Sequence, residues 1–429
     1  MTKADDIKKE VEQLKERKGQ LSREIGALKS QGTHLDSLIK EMTDISAQLK
    51  RANKALKKEL NKQDSSKDVS YDLTTVKFPF PERKAARVLG DARSAELREQ
   101  SNRFVDAHPL SAPYHRMDVR DFIEETYGHT TNYLCAVDET GGVIGVLPLV
   151  QLKSRLFGNF IVSVPYFNYG GVLANNHHTA SLLVEEAVKW ARELQVSHME
   201  MRPIKDSGLQ WPQRTDKCTF WLKLPPETDA LWRSFKPKVR AQIRRPASLK
   251  PEVVFGKKEL LPEFYRVFSA NMRDLGTPVY SKRFFAKLLD HFTDTTLVVV
   301  RLEGKAVGCA FLWGGDRRLE IPWASTLKST NKLGINMYMY WRILQHAIEK
   351  GFDCFDFGRC TIDSGTYKFK KQWGAEPVQL HWDYWLAEGQ EMPKLNPDNP
   401  KYRMLINIWQ RLPVWVTQWL GPPVVKYLP

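Results

Sequence analysis

Two stretches of this chain repeat one another, and a chain that duplicates a mixed strand and helix unit has few ways to fold. Tyr133–Val150 reads YLCAVDETGGVIGVLPLV and Thr296–Trp313 reads TLVVVRLEGKAVGCAFLW. Each has a strand, an acidic-glycine turn and a second strand, the pattern of a β-hairpin. Each leads to a long amphipathic helix, Leu182–Val196 or Met337–Gly351, and then to a strand ending in arginine. These strands read MEMR, ending at Arg202, and FDFGR, ending at Arg359. The intervals Gly145–Glu200 and Gly308–Asp356 are similar in length, as duplication requires. The expected fold is α/β (α+β), with two mixed lobes in tandem.

At 429 residues the chain exceeds one ordinary core. A net charge of +15 and a pI near 9.4 argue for a polyanionic partner, nucleic acid or an anionic membrane surface, without choosing between them. The five cysteines, Cys135, Cys218, Cys309, Cys354 and Cys360, are odd in number and lack a Cys-x-x-Cys spacing, so neither zinc nor a redox pair is expected and a reducing compartment fits. A polar N-terminus and the lack of any long apolar run point to a cytoplasmic protein with neither signal peptide nor spanning helix. No cofactor or metal is expected.

The first 63 residues carry heptads. Ile7, Val11, Leu14, Leu21, Ile25 and Leu28 form one apolar run, and Leu35, Leu38, Met42, Ile45, Leu49, Ala52 and Leu56 form another, interrupted by Gly32 and Thr33. An antiparallel coiled-coil hairpin of about 35 to 40 Å follows. Its return helix is basic, with Lys50, Arg51, Lys54, Lys57 and Lys58. It reads either as a solvated spacer or as a nucleic-acid arm. The expected organisation is a hairpin arm over 1–63, a linker over 64–73, a first lobe over 74–228, a second over 229–390 and a helical tail over 391–429.

Between the lobes, SFKPKVRAQIRRP places Lys236, Lys238, Arg240, Arg244 and Arg245 on one helical face, either a solvated seam or a phosphate clamp. After FDFGR, the run YKFKKQWG interleaves three lysines with Tyr367, Phe369 and Trp373. It is expected as a strand, in which residues 368 and 370 share a face. It suits a groove for an anionic, base-bearing ligand, or a hairpin with a solvated lysine edge. The loop YFNYGG (166–171) closes on paired glycines, which serve a strand-to-helix turn or a close approach to ligand. Asp274 and Glu320 are candidate carboxylates, each equally able to pair with an arginine. The tail gathers Trp409, Trp415, Trp419 and Tyr427 beside Arg403, Arg411 and Lys426, as in a membrane-interface helix or a helix docked on the second lobe.

FDFGR followed by YKFKKQWGAEP resembles the C-terminal signature of the FemABX-like aminoacyltransferases, of the GNAT superfamily. YFNYGG, QIRRP, MRDLGTPVY, PWAS and PDNPKYR resemble the FemAB-like proteins associated with the PEP-CTERM and exosortase system. The resemblance spans roughly residues 80 to 429 and implies two acetyltransferase-type lobes. It implies transfer of an amino acid from aminoacyl-tRNA to a nucleotide- or lipid-linked envelope precursor, and possible peripheral contact with the inner membrane. Phe369 would position the terminal adenosine, and Lys370 would meet the oxyanion. Its replacement by Met is expected to leave folding unchanged. Lys236, Lys238, Arg240, Arg244, Arg245, Tyr280, Trp323, Arg359 and Tyr367 fall on the substrate side. LSREIGALKSQG and LIKEMTDISAQLK resemble the N-terminal arm of seryl-tRNA synthetases, which implies tRNA contacts from Arg23, Lys50, Arg51, Lys54, Lys57 and Lys58 and seryl-tRNA as donor. An acyl-CoA or acyl-carrier donor ranks lower, because Asn331–Asn336 lacks the Gln or Arg that opens and the small residue that closes the Gln/Arg-x-x-Gly-x-Gly/Ala pyrophosphate turn. A tRNA-binding protein without chemistry is the third reading.

Overall fold

The computed structural model describes residues 3–29, 36–64, 84–85, 87–90, 94–315, 317–393 and 400–429. Residues 65–73 of the expected 64–73 linker, the turn at Gly32 and Thr33, and residues 394–399 of the tail lie outside them. The chain forms two compact units, residues 1–69 and 70–429.

The first unit holds α1 (Lys3–Lys29) and α2 (Asp36–Asp64), which pack on each other and share an Arg17–Glu41 ion pair at 2.8 Å. Six connecting residues reach only about 20 Å when extended, whereas α1 is about 40 Å long, so the helices must run antiparallel. Of the heptad positions whose side chains are described, Val11, Leu21, Ile45 and Ala52 are buried and the rest are half-buried.

In the second unit the first lobe comprises β1 (Arg87–Leu89), α3 (Ala95–Ala107), α4 (Met117–Tyr127), β2 (Leu134–Val137), β3 (Val143–Leu147), β4 (Val150–Ser154), β5 (Gly158–Val162), β6 (Leu173–Ala174), α5 (His177–Glu193) and β7 (His198–Met201). The short β8 (Gln213–Arg214) and the longer β9 (Lys217–Lys223) follow, and then α6 (Thr228–Ser234) and α7 (Pro237–Ala247). The second lobe runs through β10 (Glu252–Gly256), α8 (Leu261–Leu275), α9 (Lys282–His291), β11 (Thr295–Leu302), β12 (Lys305–Gly314), β13 (Arg318–Thr326), α10 (Ile335–Glu349) and β14 (Cys354–Asp356). After it come β15 (Cys360–Thr361), α11 (Gly365–Lys371), β16 (Glu376–Gln379), β17 (Trp382–Leu386), α12 (Pro400–Trp409) and α13 (Val414–Val425).

Both hairpins read from the sequence are present, β2–β3 and β11–β12. The second turns on Glu303 (φ 51°) and Gly304 (φ 74°), the two left-handed residues that a tight hairpin needs. The sheets then exchange strands. β9, which precedes residue 228, pairs with β14, β15 and β16 in the eight-stranded sheet of the second lobe, and β17 pairs with β7 and β8 in the five-stranded sheet β4-β5-β7-β17-β8, which is separate from the four-stranded sheet of β2–β3. One apolar core also crosses the lobes: Tyr114 stacks on Phe167 at 4.2 Å and meets Trp313 edge-on at 5.2 Å.

The loop 166–171 lies on this seam. A Cβ on Gly170 would fall 2.4 Å from Val164 Cγ2, and one on Gly171 would fall 2.9 Å from the Pro203 nitrogen. Close packing, rather than turn geometry, therefore requires both glycines. Gly170→Ala is expected to cost about 1–3 kcal/mol through overpacking, lowering the unfolding temperature by several degrees in a thermal scan. Gly365→Ala, with nothing within 4 Å of the added carbon, should leave it unchanged.

Candidate active site

β13 and β14 run parallel for three paired positions, Arg318–Cys354, Leu319–Phe355 and Glu320–Asp356, and then part, because β14 ends while β13 continues along β12. Gly358 makes the parting possible. Its φ is +72°, and a Cβ there would sit 3.0 Å from Ile321 O. The pair Glu320 and Asp356 is thus buried at the fork, 2% and 0% exposed.

The first lobe supplies much of what surrounds them. Tyr114 donates to Glu320 Oε2 at 2.7 Å, and Asn168 Nδ2 donates to Oε1. Asp356 accepts from Tyr169 (2.7 Å), Trp221 Nε1 (2.9 Å), Thr219 Oγ1 (2.5 Å) and the Gly358 amide (2.8 Å). Burial first, and then the neighbouring Asp356, push the Glu320 carboxyl up to about 8. A carboxyl poised there can hold or release a proton near neutral pH. Glu320 forms no ion pair among the described residues, whereas Asp274 pairs with Arg273 at 2.7 Å, the bland alternative for that residue. Arg318 stacks on Trp221 at 4.2 Å and donates to Ser111 O.

The YKFKK run is a helix, not the expected strand. Ser364 caps α11 by accepting from the Tyr367 amide at 3.1 Å, which commits the segment to helix despite its aromatics. Residues 368 and 370 therefore do not share a face. Tyr367 is buried against Phe220, and Phe369 is half-buried with its ring edge on Tyr340 at 5.0 Å. Lys368 and Lys371 are exposed, while Lys370 is buried, and burial depresses its pKa. Its ammonium donates to Gly358 O (2.5 Å) and Arg359 O (3.0 Å), so it braces the turn at the fork. Removing it would leave two buried carbonyls without that donor, at a cost of about 1–3 kcal/mol each, so Lys370→Met is not neutral to folding as the sequence suggested.

Beside α11 opens a cleft of about 620 Å³ lined by Lys223, Ser234, Phe235, Lys236, Lys371 and Trp373, among others. Helix α7 starts at this cleft, which Lys236 lines. Lys236, Lys238, Arg244 and Arg245 are exposed and Arg240 is half-buried, while Val239, Ile243 and Pro246 face inward. None of the five cations has an ion pair among the described residues; Arg244 lies over Trp232 at 5.3 Å. The last turn of α7 covers Gly334, the residue before α10, with Pro246 carbons 3.8 Å from where a Cβ would stand.

Tyr280 and Trp323 meet at 5.7 Å in an aromatic cluster with Phe284 and Phe285. Arg359 lies over Trp382 at 4.9 Å. In the arm, Arg51 is exposed and Arg23 bonds to Gly19 O at 3.3 Å; the side chains of Lys50, Lys54, Lys57 and Lys58 lie outside the described residues. A further cavity of about 330 Å³ in the first lobe is lined by His108, His115, Tyr169, Gly170 and Gly171. Burial lowers both histidines to about 4. Among the described residues no cluster of His, Cys, Asp and Glu could hold a metal ion.

Residues 233–371 match the family described as acetyltransferase (GNAT) domain. The solved structure of FemX superposes with a TM-score of 0.52 at 14% identity, over 72% of this chain and 98% of that one. L-PGS from Bacillus licheniformis (TM-score 0.46, 14% identity, 75% of this chain and 96% of that one) superposes less closely. So does a tandem GNAT protein from the clavulanic acid biosynthesis pathway (0.45, 12%, 72% and 100%). Comparison with curated proteins finds no match. The fold is thus an α/β arrangement of GNAT-like lobes, and the matched segment contains α7, the fork and α11.

Sequence reasoning missed Tyr114, Asn168, Tyr169, Thr219 and Trp221 as partners of the carboxylates. Glu320 offers a pH test. Its value in the folded protein lies above the unfolded one, so the native state keeps a proton that the unfolded chain gives up as pH rises from the ordinary carboxylate range towards about 8. Stability contributed by Glu320 should fall across that window. Glu320→Gln, with the Asn168 amide turned to accept, should flatten the decline of unfolding temperature between about pH 5 and 8. An identical slope in both proteins would remove the shifted proton from Glu320.

Proposed function

We propose that this chain is a tRNA-dependent aminoacyltransferase acting on an amine of a cell-envelope precursor. The observation that carries the reading is the cationic face of α7, without ion-pair partners among the described residues, whose first cation, Lys236, lines a cleft shared with Lys371 of α11. Such a face suits the phosphates of a nucleic acid or a nucleotide-linked substrate. The FemX-like fold supports the same class.

An aminoacyl ester is already activated, so positioning and oxyanion stabilisation suffice. The acceptor nitrogen attacks the ester carbonyl, its bond to carbon forms, the bond to the ribose oxygen breaks, and the amine proton finishes on that oxygen. Lys370 retains one N–H beyond the two it gives to Gly358 and Arg359, and this N–H serves the oxyanion. The half-buried Phe369 positions the terminal adenosine. Arg23, Lys50, Arg51, Lys54, Lys57 and Lys58 of the arm contact the outer tRNA, and seryl-tRNA is the donor.

The GNAT-domain match favours a second reading, N-acyl transfer from acyl-CoA. Against it stands α7, packed over the start of α10 where the amides would cradle a pyrophosphate. One experiment separates them: purified protein is offered tRNA charged with labelled serine, or labelled acetyl-CoA, in a lysate containing envelope precursors. Transfer from charged tRNA alone is expected, and Lys370→Met should lower its turnover by about 10²- to 10³-fold. Transfer from acetyl-CoA alone would establish the second reading, and near-normal turnover of the variant would end the role given to Lys370.

The tail supports peripheral contact with an anionic bilayer. α13 docks on α8, with Gln418 donating to Ser269 at 2.8 Å, yet Trp415 and Trp419 remain 70% and 74% exposed on one face. The other end of this helix, at Pro423 and Val424, lines a cavity with the exposed Lys153, Arg155 and Leu156. No described helix is long and apolar enough to cross a membrane, so contact is interfacial. Trp415→Ala with Trp419→Ala should abolish co-sedimentation with phosphatidylglycerol vesicles; equal pelleting of wild type with phosphatidylcholine vesicles would argue against the charge component.

A further inference from the structure

Arg202 and Arg359 hold the same place in the two repeated halves, each closing the strand that follows the long helix. The fold brings both to one indole, with their guanidinium carbons 4.5 and 4.9 Å from the centre of the Trp382 ring. Their surroundings differ. Arg202 is fully engaged: Nε donates to Glu200 Oε1 at 2.6 Å and Nη1 to Phe167 O at 3.2 Å. Glu200 is engaged as well, since Tyr384 donates to its other oxygen at 2.7 Å. Arg359 has no such partner for Nη1, which is buried without an acceptor among the described residues, and the Trp382 Nε1 is buried without one among them too. Buried donors of this kind call for an acceptor, and the described residues supply none.

The charge balance points the same way. One carboxylate, Glu200, stands among two guanidiniums. Desolvation and then the nearby Arg202 depress Arg359 to about 10, and the same two arginines act on the Tyr280 hydroxyl. An anionic oxygen would satisfy both orphan donors and neutralise the excess cation, and a guanidinium fork suits carboxylate or phosphate geometry. The place is adjacent to the fork, since Lys370 holds the carbonyl of Arg359 itself.

We propose that Arg359 and the Trp382 indole bind a carboxylate or phosphate oxygen, and that this oxygen belongs to the acceptor substrate. The second clause rests on the transferase reading; the anion site does not. Arg202 is a positioning residue that fixes Trp382 from the first lobe.

The test uses the full-length protein and two probes, inorganic phosphate and acetate, titrated separately at constant ionic strength and followed by calorimetry and thermal shift. One of them should bind saturably. Arg359→Gln should weaken that binding roughly 10- to 100-fold, as loss of a charge-assisted bond does. Trp382→Phe should weaken it less, and Arg192→Gln, at an exposed site, should not change it. If Arg359→Gln does not fold, Arg359→Lys, which keeps the charge and loses the fork, is expected to bind more weakly than wild type. No saturable binding of either ion, or equal binding by the Arg359 variant, overturns the proposal. Preference for phosphate would assign a phosphorylated acceptor, and preference for acetate a peptide carboxylate. Anion binding without transfer from charged tRNA would keep the site and remove the transferase reading; transfer without anion binding would do the reverse.

Discussion

Two carboxylates placed side by side in the middle of a sheet are costly unless each is surrounded by donors, and this constraint organises the larger unit. Glu320 and Asp356 are register partners at the last position where β13 and β14 still pair. The first lobe contributes Tyr114, Asn168 and Tyr169 to them, so the second sheet is electrostatically incomplete without the first lobe. The tight glycines of the 166–171 loop follow from this: the loop must approach closely enough to deliver Asn168 and Tyr169 together. Tyr166, at φ 75°, turns the other way and bonds to Lys426 O at 2.7 Å, which fastens the tail to the same seam.

Strand exchange strengthens the coupling. β9 carries Thr219 and Trp221 into the second sheet and onto Asp356. β17 carries Trp382 and Tyr384 back to the five-stranded sheet of the first lobe, where they meet Arg202 and Glu200. Each crossing strand thus brings polar groups to the charges of the sheet it enters. Separating the lobes would break sheet ladders and expose both charge clusters at once, so the seam is a rigid setting for the fork rather than a hinge.

Much of this was legible in the sequence, and the exceptions have identifiable causes. The duplicated hairpins, the helices after them and the heptads of the arm were readable because periodicity and turn chemistry are local. The segment 365–371 was misread because alternating aromatics favour a strand, while the decisive signal was a single capping serine, Ser364, three residues upstream of Tyr367. Lys370 stood out by its motif, but its two carbonyl partners depend on the turn at Gly358. Tyr114 could not have been found, because 206 residues separate it from Glu320 and nothing in its neighbourhood marks it. The two strand-closing arginines were visible as a repeat; their convergence on Trp382 needed the strand exchange.

The helix starts of the two lobes bear on what kind of donor the fold can hold. A GNAT-type lobe can offer a pyrophosphate the free amides at the start of the helix that follows its hairpin strands. In the first lobe, Asn176 turns its own side chain onto those amides, accepting from Thr179 N at 2.8 Å. In the second, Gly334 has no side-chain cap, but the last turn of α7 lies against it. One start is capped from within and the other is covered by a cationic helix. On the proposed transferase reading, the groups left to meet phosphates are therefore the side chains of Lys236, Lys238, Arg240, Arg244 and Arg245 rather than backbone amides. Side chains on an exposed face tolerate a long, variable polyanion better than a cradle shaped for one pyrophosphate, which is the property a tRNA donor demands.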